Sequence, residues 1–227
     1  MRYEIRGTVL PTLEVYLSSG ESMYTESGGM AWMKGNIEMT TNTKGGLMKG
    51  LGCALAGESL FMTTYTSHDP EAMIVFTPEA PGNIIDVKLG AGASLICQKD
   101  AFMCAESTVE MKMHFRKKLG AGFFGGEGFI LQQITGPGIA FLEIPGEVRE
   151  YTLLPNETMK VDPGHIALFE PSVKYDITTV KGLTNVLFGG EGLFLATLTG
   201  PGKIWLQSLP LSNLAAKLAK YMPAKSA

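Results

Sequence analysis

Residues 125–131 read Gly-Gly-Glu-Gly-Phe-Ile-Leu and are followed by Thr-Gly-Pro-Gly at residues 135–138. Both motifs return 64 positions later, as Gly-Gly-Glu-Gly-Leu-Phe-Leu at residues 189–195 and Thr-Gly-Pro-Gly at residues 199–202. A weaker copy, Gly-Glu-Ser-Leu-Phe-Met at residues 57–62, precedes both. Because self-similarity at a fixed period is the signature of a repeat architecture, the motif predicts three related units.

The segments that flank the motif repeat with it. Residues 13–17 match residues 85–89 at an offset of 72, and residues 148–153 follow residues 84–89 at an offset of 64. No junction is long, charged or Ser-rich enough to be a linker, so we expect the units to pack around a pseudo-threefold axis as one body. The predicted divisions are residues 1–78, 79–143 and 144–208 for the three β repeats, and 209–227 for a C-terminal helix and tail.

The hydrophobic period within each unit is two. Residues 109–115 alternate apolar and polar side chains, which is typical of a half-buried β-strand. The Gly-Pro-Gly triplets at residues 136–138 and 200–202 supply the backbone angles of tight turns, and we expect them to close hairpins. The body is therefore predicted to be all-β, and only the tail has a helical pattern, with Ser212 as its N-cap.

The composition indicates a globular protein and excludes several functional classes. Of 227 residues, 45% are hydrophobic and 18% are charged, so the chain can bury enough apolar surface to fold. A net charge of -3 provides no field that would attract a nucleic acid. No apolar run has the length of a signal peptide or a membrane span, so we expect a cytoplasmic protein, either free or peripheral to a membrane. The three cysteines, Cys53, Cys97 and Cys104, match no zinc or redox spacing and are expected to be reduced core thiols.

The repeated motif resembles a widespread bacterial and archaeal family of unknown function, which is related to a fungal mitochondrial protein named for altered inheritance of mitochondria. The resemblance covers residues 1–208, and the Gly-rich segments at residues 120–138 and 184–202 are its specific part. It implies a fold similar to the tryptophan RNA-binding attenuator protein, a short double-stranded β-helix, fused three times in one chain. It implies no established activity, and the association of the mitochondrial relative with inner-membrane organisation is its single functional lead.

Motifs that would indicate catalysis or a cofactor are weak. Residues 120–125 formally match the dinucleotide fingerprint, but a strand follows them where the fingerprint needs a helix. His68, His114 and His165 fall at different places in the three repeats, with no His-x-His pair to begin a metal site. No nucleophile elbow is present. We therefore expect no catalytic residue, no metal and no cofactor.

Two sets of repeat-equivalent residues are candidate sites. Large apolar side chains occur beside glycines in loops that would ordinarily be polar, and such a patch marks an interface if it is exposed. Glutamates at one repeat position would bring three carboxylates together if they faced the axis, or would lie in water if they faced outward. The apolar candidates are Leu47, Met48, Phe123, Phe124, Leu187 and Phe188, and the carboxylates are Glu58, Glu127 and Glu191.

These observations favour a non-enzymatic β scaffold. We expect it to form homo-oligomers and to contact a protein or a membrane surface through the Gly-flanked apolar loops and the C-terminal helix. One alternative is an RNA-binding module by fold analogy, although no cation recurs at equivalent repeat positions. A second alternative is an enzyme that binds a small molecule or a metal in a pocket between repeats.

Overall fold

The computed structural model describes residues 1–26, 28–43, 61–117, 128–179, 194–219 and 221. These residues form nineteen β-strands and one α-helix, which confirms the predicted all-β body with a short C-terminal helix. The chain divides into two compact units. Unit 1 comprises Met1–Ser94, Asp100–Met113 and Gln133–Ile144, and unit 2 comprises Leu95–Lys99, His114–Gln132 and Pro145–Ala227.

A four-stranded sheet and a six-stranded sheet make up unit 1. The smaller sheet has the order β1-β2-β7-β4 and the larger sheet the order β5-β6-β3-β10-β13-β8. Their strands are β1 (Arg2–Arg6), β2 (Thr12–Leu17), β3 (Ser22–Glu26), β4 (Met30–Lys34), β5 (Ile37–Thr43), β6 (Phe61–Ser67), β7 (Ala72–Phe76), β8 (Gly82–Leu89), β10 (Phe102–Glu106) and β13 (Gly138–Pro145).

Alternation along the strands of unit 1 builds its core. In β2 the side chains of Leu13, Val15 and Leu17 are buried, and the residues between them are half-buried. They form one cluster with residues of the six-stranded sheet, including Tyr65 and Phe141. Apolar faces of the two sheets thus meet, as the period of two predicts.

A second six-stranded sheet and a three-stranded sheet characterise unit 2. The larger sheet has the order β11-β12-β9-β16-β19-β14, the smaller sheet the order β15-β18-β17, and a helix, α1 (Leu211–Ala219), follows β19. The strands are β9 (Ser94–Gln98), β11 (Glu110–Lys117), β12 (Phe129–Thr135), β14 (Val148–Leu153), β15 (Thr158–Val161), β16 (Ile166–Phe169), β17 (Lys174–Thr179), β18 (Phe194–Thr199) and β19 (Gly202–Gln207).

Aromatic rings are concentrated in the core of unit 2. The Tyr175 ring stacks on Phe129 and Phe169 at centroid distances of 5.9 and 5.8 Å and meets Phe115 edge to face at 5.2 Å. Aliphatic side chains from β14, β16, β18 and β19 complete the cluster. Such aromatic pairs add roughly 0.5–1.5 kcal/mol each beyond the area they bury.

The order of strands follows the sequence repeat. Adding six to each strand number of the first six-stranded sheet gives the order of the second sheet. At the centre of each sheet a strand pairs with a strand from the following repeat, β3 with β10 in one case and β9 with β16 in the other. We call β3–β10 and β9–β16 the inter-repeat pairs. The pseudo-threefold symmetry and the three repeat boundaries stay predictions.

A β-bulge recurs at the same repeat position. The register shifts between Met30 and Trp32 in β4, between Phe102 and Cys104 in β10, and between Ile166 and Leu168 in β16. These residue pairs are related by the offsets of 72 and 64 that relate the repeats. A bulge bends its strand and increases the local twist, so the three strands share a backbone feature as well as a sequence position.

Two local predictions were wrong. The Gly-Pro-Gly triplets do not close hairpins, because β12 and β13 lie in different sheets, as do β18 and β19. The turns instead carry the chain from one sheet to another. Ser212 is not the N-cap of α1, since the helix begins at Leu211 and the Pro210 carbonyl accepts hydrogen bonds from the backbone N–H groups of Asn213 and Leu214.

Close packing explains why glycine opens these turns. A Cβ atom added to Gly136 would lie 2.6 Å from Leu89 Cβ and 2.6 Å from the Gly90 carbonyl oxygen. The equivalent Gly200 would place a Cβ 2.7 Å from Leu153 Cβ. Each turn therefore packs against the end of a β-strand, and there is no space for a side chain at Gly136 or Gly200.

We predict that Gly136→Ala lowers the free energy of unfolding by about 1–3 kcal/mol, because the new methyl group must displace backbone atoms. Urea denaturation measures the change. Gly90→Ala is the matched control, since a Cβ there meets nothing within 4 Å, and we expect it to change stability by less than about 0.5 kcal/mol. Equal effects of the two substitutions would contradict this explanation.

Unit 1 holds a half-buried carboxyl group on β13. Burial raises the pKa of Glu143 from its ordinary 4.5 to about 7, with a smaller contribution from the charges of Glu79 and Asp100. A hydrogen bond from the Glu79 backbone N–H to Oε2, 2.7 Å long, acts in the opposite direction. The repeat-equivalent residue in unit 2 is Gln207, whose Nε2 donates to the Gly164 carbonyl oxygen at 2.7 Å.

The raised pKa has a defined consequence for stability. Between about pH 4.5 and pH 7 the folded chain holds a proton that the unfolded chain has released, so the free energy of unfolding falls as pH rises through this window and then levels off. The fall is on the order of 3 kcal/mol. We predict that Glu143→Gln removes it, as urea denaturation from pH 4.5 to pH 8 will show. The exposed Glu147→Gln is the control, and an unchanged slope in Glu143→Gln would disprove the assignment.

Candidate interaction surface

Strand β4 exposes side chains that its repeat equivalents bury. Trp32 is 48% exposed and Met33 is 37% exposed. Cys104 and Leu168, which occupy the position of Trp32 in β10 and β16, are 0% and 1% exposed. The difference comes from the neighbours, because β10 and β16 lie between two strands whereas β4 lies at the end of its sheet.

The backbone of β4 is held firmly in place. Trp32 pairs with Val75, Met33 with Ile74 and Lys34 with Met73, all on β7. The turn that follows is fixed by Asp69, whose Oδ2 accepts a 2.7 Å hydrogen bond from the Asn36 backbone N–H. The free edge of β4 is therefore an ordered strand.

The opposite edge of the same sheet is chemically different. Strand β1 carries Arg2, Glu4 and Arg6, and Arg2 forms a 2.7 Å ion pair with Glu71 while its guanidinium lies 3.8 Å above the Tyr16 ring. Charged side chains of this kind protect a sheet edge from pairing with another chain. Strand β4 presents alanine, tryptophan and methionine before its single lysine, so it has little of that protection.

A second open edge belongs to β15. Residues 158–161 pair with residues 196–199 of β18, and among the described residues no strand pairs with the other edge of β15. Thr158 and Lys160 are exposed, Met159 is half-buried and Val161 is buried. An open groove with a cavity volume of about 360 Å³ follows this edge. Its lining includes Tyr151, Met159, Lys160, Asp162, His165 and Ser208.

Three polar side chains in the groove form hydrogen bonds with nearby backbone groups. His165 Nδ1 donates to the Gln207 carbonyl oxygen at 2.7 Å, and Asp162 Oδ1 accepts from the Gly164 N–H at 2.9 Å. Ser208 Oγ accepts from the Glu147 N–H at 2.8 Å. Serine, histidine and aspartate thus share one groove without the hydrogen bonds of a nucleophilic relay. The groove therefore borders the edge of β15 with a mixed lining, in which Met159, Val161 and Leu206 are the aliphatic residues.

Comparison with known proteins places the chain in a family. A family model described as mitochondrial biogenesis AIM24 matches residues 3–209. The chain belongs to the AIM24 family. The family resemblance inferred from the Gly-Gly-Glu-Gly and Thr-Gly-Pro-Gly motifs is thereby confirmed.

Two proteins of Streptococcus pyogenes are similar to this member of the AIM24 family. An uncharacterised protein of Streptococcus pyogenes serotype M6 is 31% identical over 235 residues, which cover 100% of this chain and 93% of the relative. A crystal structure of a Streptococcus pyogenes protein has a TM-score of 0.76 at 28% identity, and the match covers 97% of this chain and 99% of that one. Neither relative is described with an activity.

The candidate residues from the repeat motifs cannot be placed. All six apolar loop residues and all three glutamates lie outside the described residues: Leu47, Met48, Phe123, Phe124, Leu187, Phe188, Glu58, Glu127 and Glu191. Within the described part of the chain, no group of three metal-ligating side chains occurs and no helix could span a membrane.

Two of the described histidines are exposed, and the two described cysteines lie in the core, as the sequence predicted for the cysteines. His68 follows β6 in a turn and contacts Glu38 Oε2 at 2.9 Å, and His114 is exposed on β11. Cys97 and Cys104 are free and buried, and burial raises the pKa of Cys97 to about 12. Such thiols are inert core residues.

Sequence reasoning missed the β4 edge, although a signal was available. Residues 31–33 match residues 103–105 and 167–169 at the repeat offsets, and all three segments are apolar. Among the described residues, however, β4 pairs with a strand on one edge only, whereas β10 and β16 pair on both edges. The missing neighbour, combined with the apolar composition, identifies the exposed edge.

Proposed function

We propose that this protein is a non-enzymatic β scaffold that assembles with other polypeptide chains through the open edge of β4. The observation that carries the proposal is the exposure of Trp32 and Met33 on an ordered strand whose repeat equivalents are buried. The match of the AIM24 family model to residues 3–209 is consistent with this role. A scaffold needs ordered surfaces that other chains can bind, and we propose the open edge of β4 as such a surface.

The energetics favour use of this edge for binding. Burying a large apolar side chain contributes about 1.5–3 kcal/mol when exposure is complete, and Trp32 and Met33 each have roughly half or less of that to gain. Backbone N–H and C=O groups along the edge add specificity, since a strand that pairs there must match both direction and register. An edge of this kind selects an extended polypeptide as its partner.

The other parts of the functional proposal concern location and further contacts. We place the protein in the cytoplasm, free or at the periphery of a membrane. The Gly-flanked apolar loops, with Phe123 and Phe124 in the second repeat, are proposed as additional contacts to a protein or membrane surface. Homo-oligomers are the form in which we expect the scaffold to act.

We predict that Trp32→Glu/Met33→Glu weakens self-association at least tenfold in Kd, because two charges replace the apolar contact at the edge. Sedimentation velocity over a concentration series measures this. Leu154→Glu is the matched control, since Leu154 is 67% exposed but lies outside β4 and β15, and its dissociation constant should equal that of the wild type. Thermal unfolding of each variant verifies the fold.

Three results would overturn the proposal. The first is a wild-type chain that stays monomeric at all concentrations and captures no polypeptide through β4. The second is stoichiometric transition metal in the purified protein, which would support the enzyme alternative. The third is salt-dependent binding of single-stranded RNA at physiological ionic strength, which would support the RNA-binding alternative.

A further inference from the structure

The two inter-repeat pairs use the same register. In the first pair Cys104 lies opposite Thr25 and Ala105 opposite Tyr24. In the second pair the equivalent residues Leu168 and Phe169 lie opposite Cys97 and Ile96. Strand type, direction and alignment are thus all repeated. The inter-repeat pair is a mode of association that this chain's own sequence encodes twice.

Among the described residues, each of the two strand types also occurs once with an unpaired outer edge. Strand β4 occupies the repeat position of β10 and β16, and β15 occupies the position of β3 and β9. Among the described residues both outer edges are unpaired, in the four-stranded and the three-stranded sheet respectively. A strand that suits β4 is therefore one with the properties of β15.

We infer that β4 of one copy pairs antiparallel with β15 of a second copy of this chain, with Trp32 opposite Val161 and Met33 opposite Lys160. This register is the one obtained by transferring the two observed pairs with the repeat offsets. The inference rests on the proposed scaffold function and names the partner of its β4 edge. The contact joins different surfaces of the two copies, so it generates closed rings or open filaments.

Strand order identifies β15 as the strand type that suits β4, and because both edges are unpaired among the described residues of one chain, we assign the partner strand to a second copy. Joining β4 to β15 would link the four-stranded and three-stranded sheets in the order β17-β18-β15-β4-β7-β2-β1. Apart from the extra strand β1, this order is equivalent to that of the first six-stranded sheet, β5-β6-β3-β10-β13-β8. The intermolecular sheet would therefore repeat a packing that the chain already uses.

The two edges also differ in a useful way. Lys160 stands on β15 where β3 has Tyr24 and β9 has Ile96, and both of those residues are buried. A lysine discourages two β15 edges from pairing with each other, because the like charges would face one another. The apolar β4 edge can accept the aliphatic stem of this lysine beside Met33. A groove of about 360 Å³ adjoins the same edge of β15.

Disulfide trapping tests the register directly. Two full-length chains with different tags are prepared in a Cys53→Ser background, one carrying Met33→Cys and the other Lys160→Cys, and are mixed under mild oxidation. We expect a disulfide between the two chains. Replacing the second chain with one carrying Leu154→Cys is the control and should give none. Homodimers of the Met33→Cys chain in preference to the mixed product, or no mixed product, would overturn the inference.

A charge exchange provides an independent measurement. Met33→Lys places a second cation opposite Lys160 and should raise the Kd of self-association about fivefold. Met33→Lys/Lys160→Glu in one chain makes the facing pair oppositely charged and should restore the wild-type Kd. Failure of this rescue would overturn the inferred register.

The outcomes separate the two proposals. If Trp32→Glu/Met33→Glu weakens assembly but neither trapping nor rescue occurs, the scaffold proposal stands, β4 has another occupant and the second-copy inference is wrong. If that variant leaves the assembly and the polypeptide binding of the wild type unchanged, the scaffold proposal itself fails.

Discussion

Pairing between strands of consecutive repeats joins the two halves of each six-stranded sheet. A strand that lies inside a sheet must have partners for the N–H and C=O groups of both edges, since a buried unpaired group costs as much as a lost hydrogen bond. Strands β10 and β16 meet this requirement by pairing with β3 and β9 of the preceding repeat. The burial of Cys104 and Leu168 follows from that pairing, and the cores of both units are built on the sheets so formed.

The sequence predicted the features that depend on local chemistry. Alternation at residues 109–115 identified β11 as a half-buried strand. Turns at residues 136–138 and 200–202 were located, but the prediction of hairpins there failed. Turn chemistry sets the direction of the chain over a few residues, whereas the choice of sheet depends on strands far away in sequence. The close approach of Gly136 to Leu89 is a contact of that distant kind.

The candidate surface was less predictable than the fold for the same reason. Residues 31–33 have the apolar composition of buried strands, and composition alone would place them in the core. Their exposure reflects the lack of a paired strand at the outer edge of β4 within the described part of the chain, and composition does not report that lack. The polar residues that differ between repeats also behave differently from one repeat to the next. Glu143 and Gln207 occupy one repeat position, yet a carboxyl group with a raised pKa stands in unit 1 and a satisfied amide stands in unit 2.

The ends of a repeat array must either be capped or be used. Terminal repeats of soluble arrays generally acquire a polar outer face, because their apolar surface would otherwise be exposed. The outer edges of β1, β15 and β4 differ in how polar they are. Strand β1 covers the outer edge of β2 with arginines and a glutamate, and Lys160 replaces the aromatic or aliphatic residue found at its position in β3 and β9. Strand β4 retains Trp32 and Met33. The edges of β1 and β15 thus carry charged residues, whereas the edge of β4 is apolar. This asymmetry is what a directional, head-to-tail contact requires. If every edge were charged the chains could not assemble, and if every edge were apolar they would aggregate.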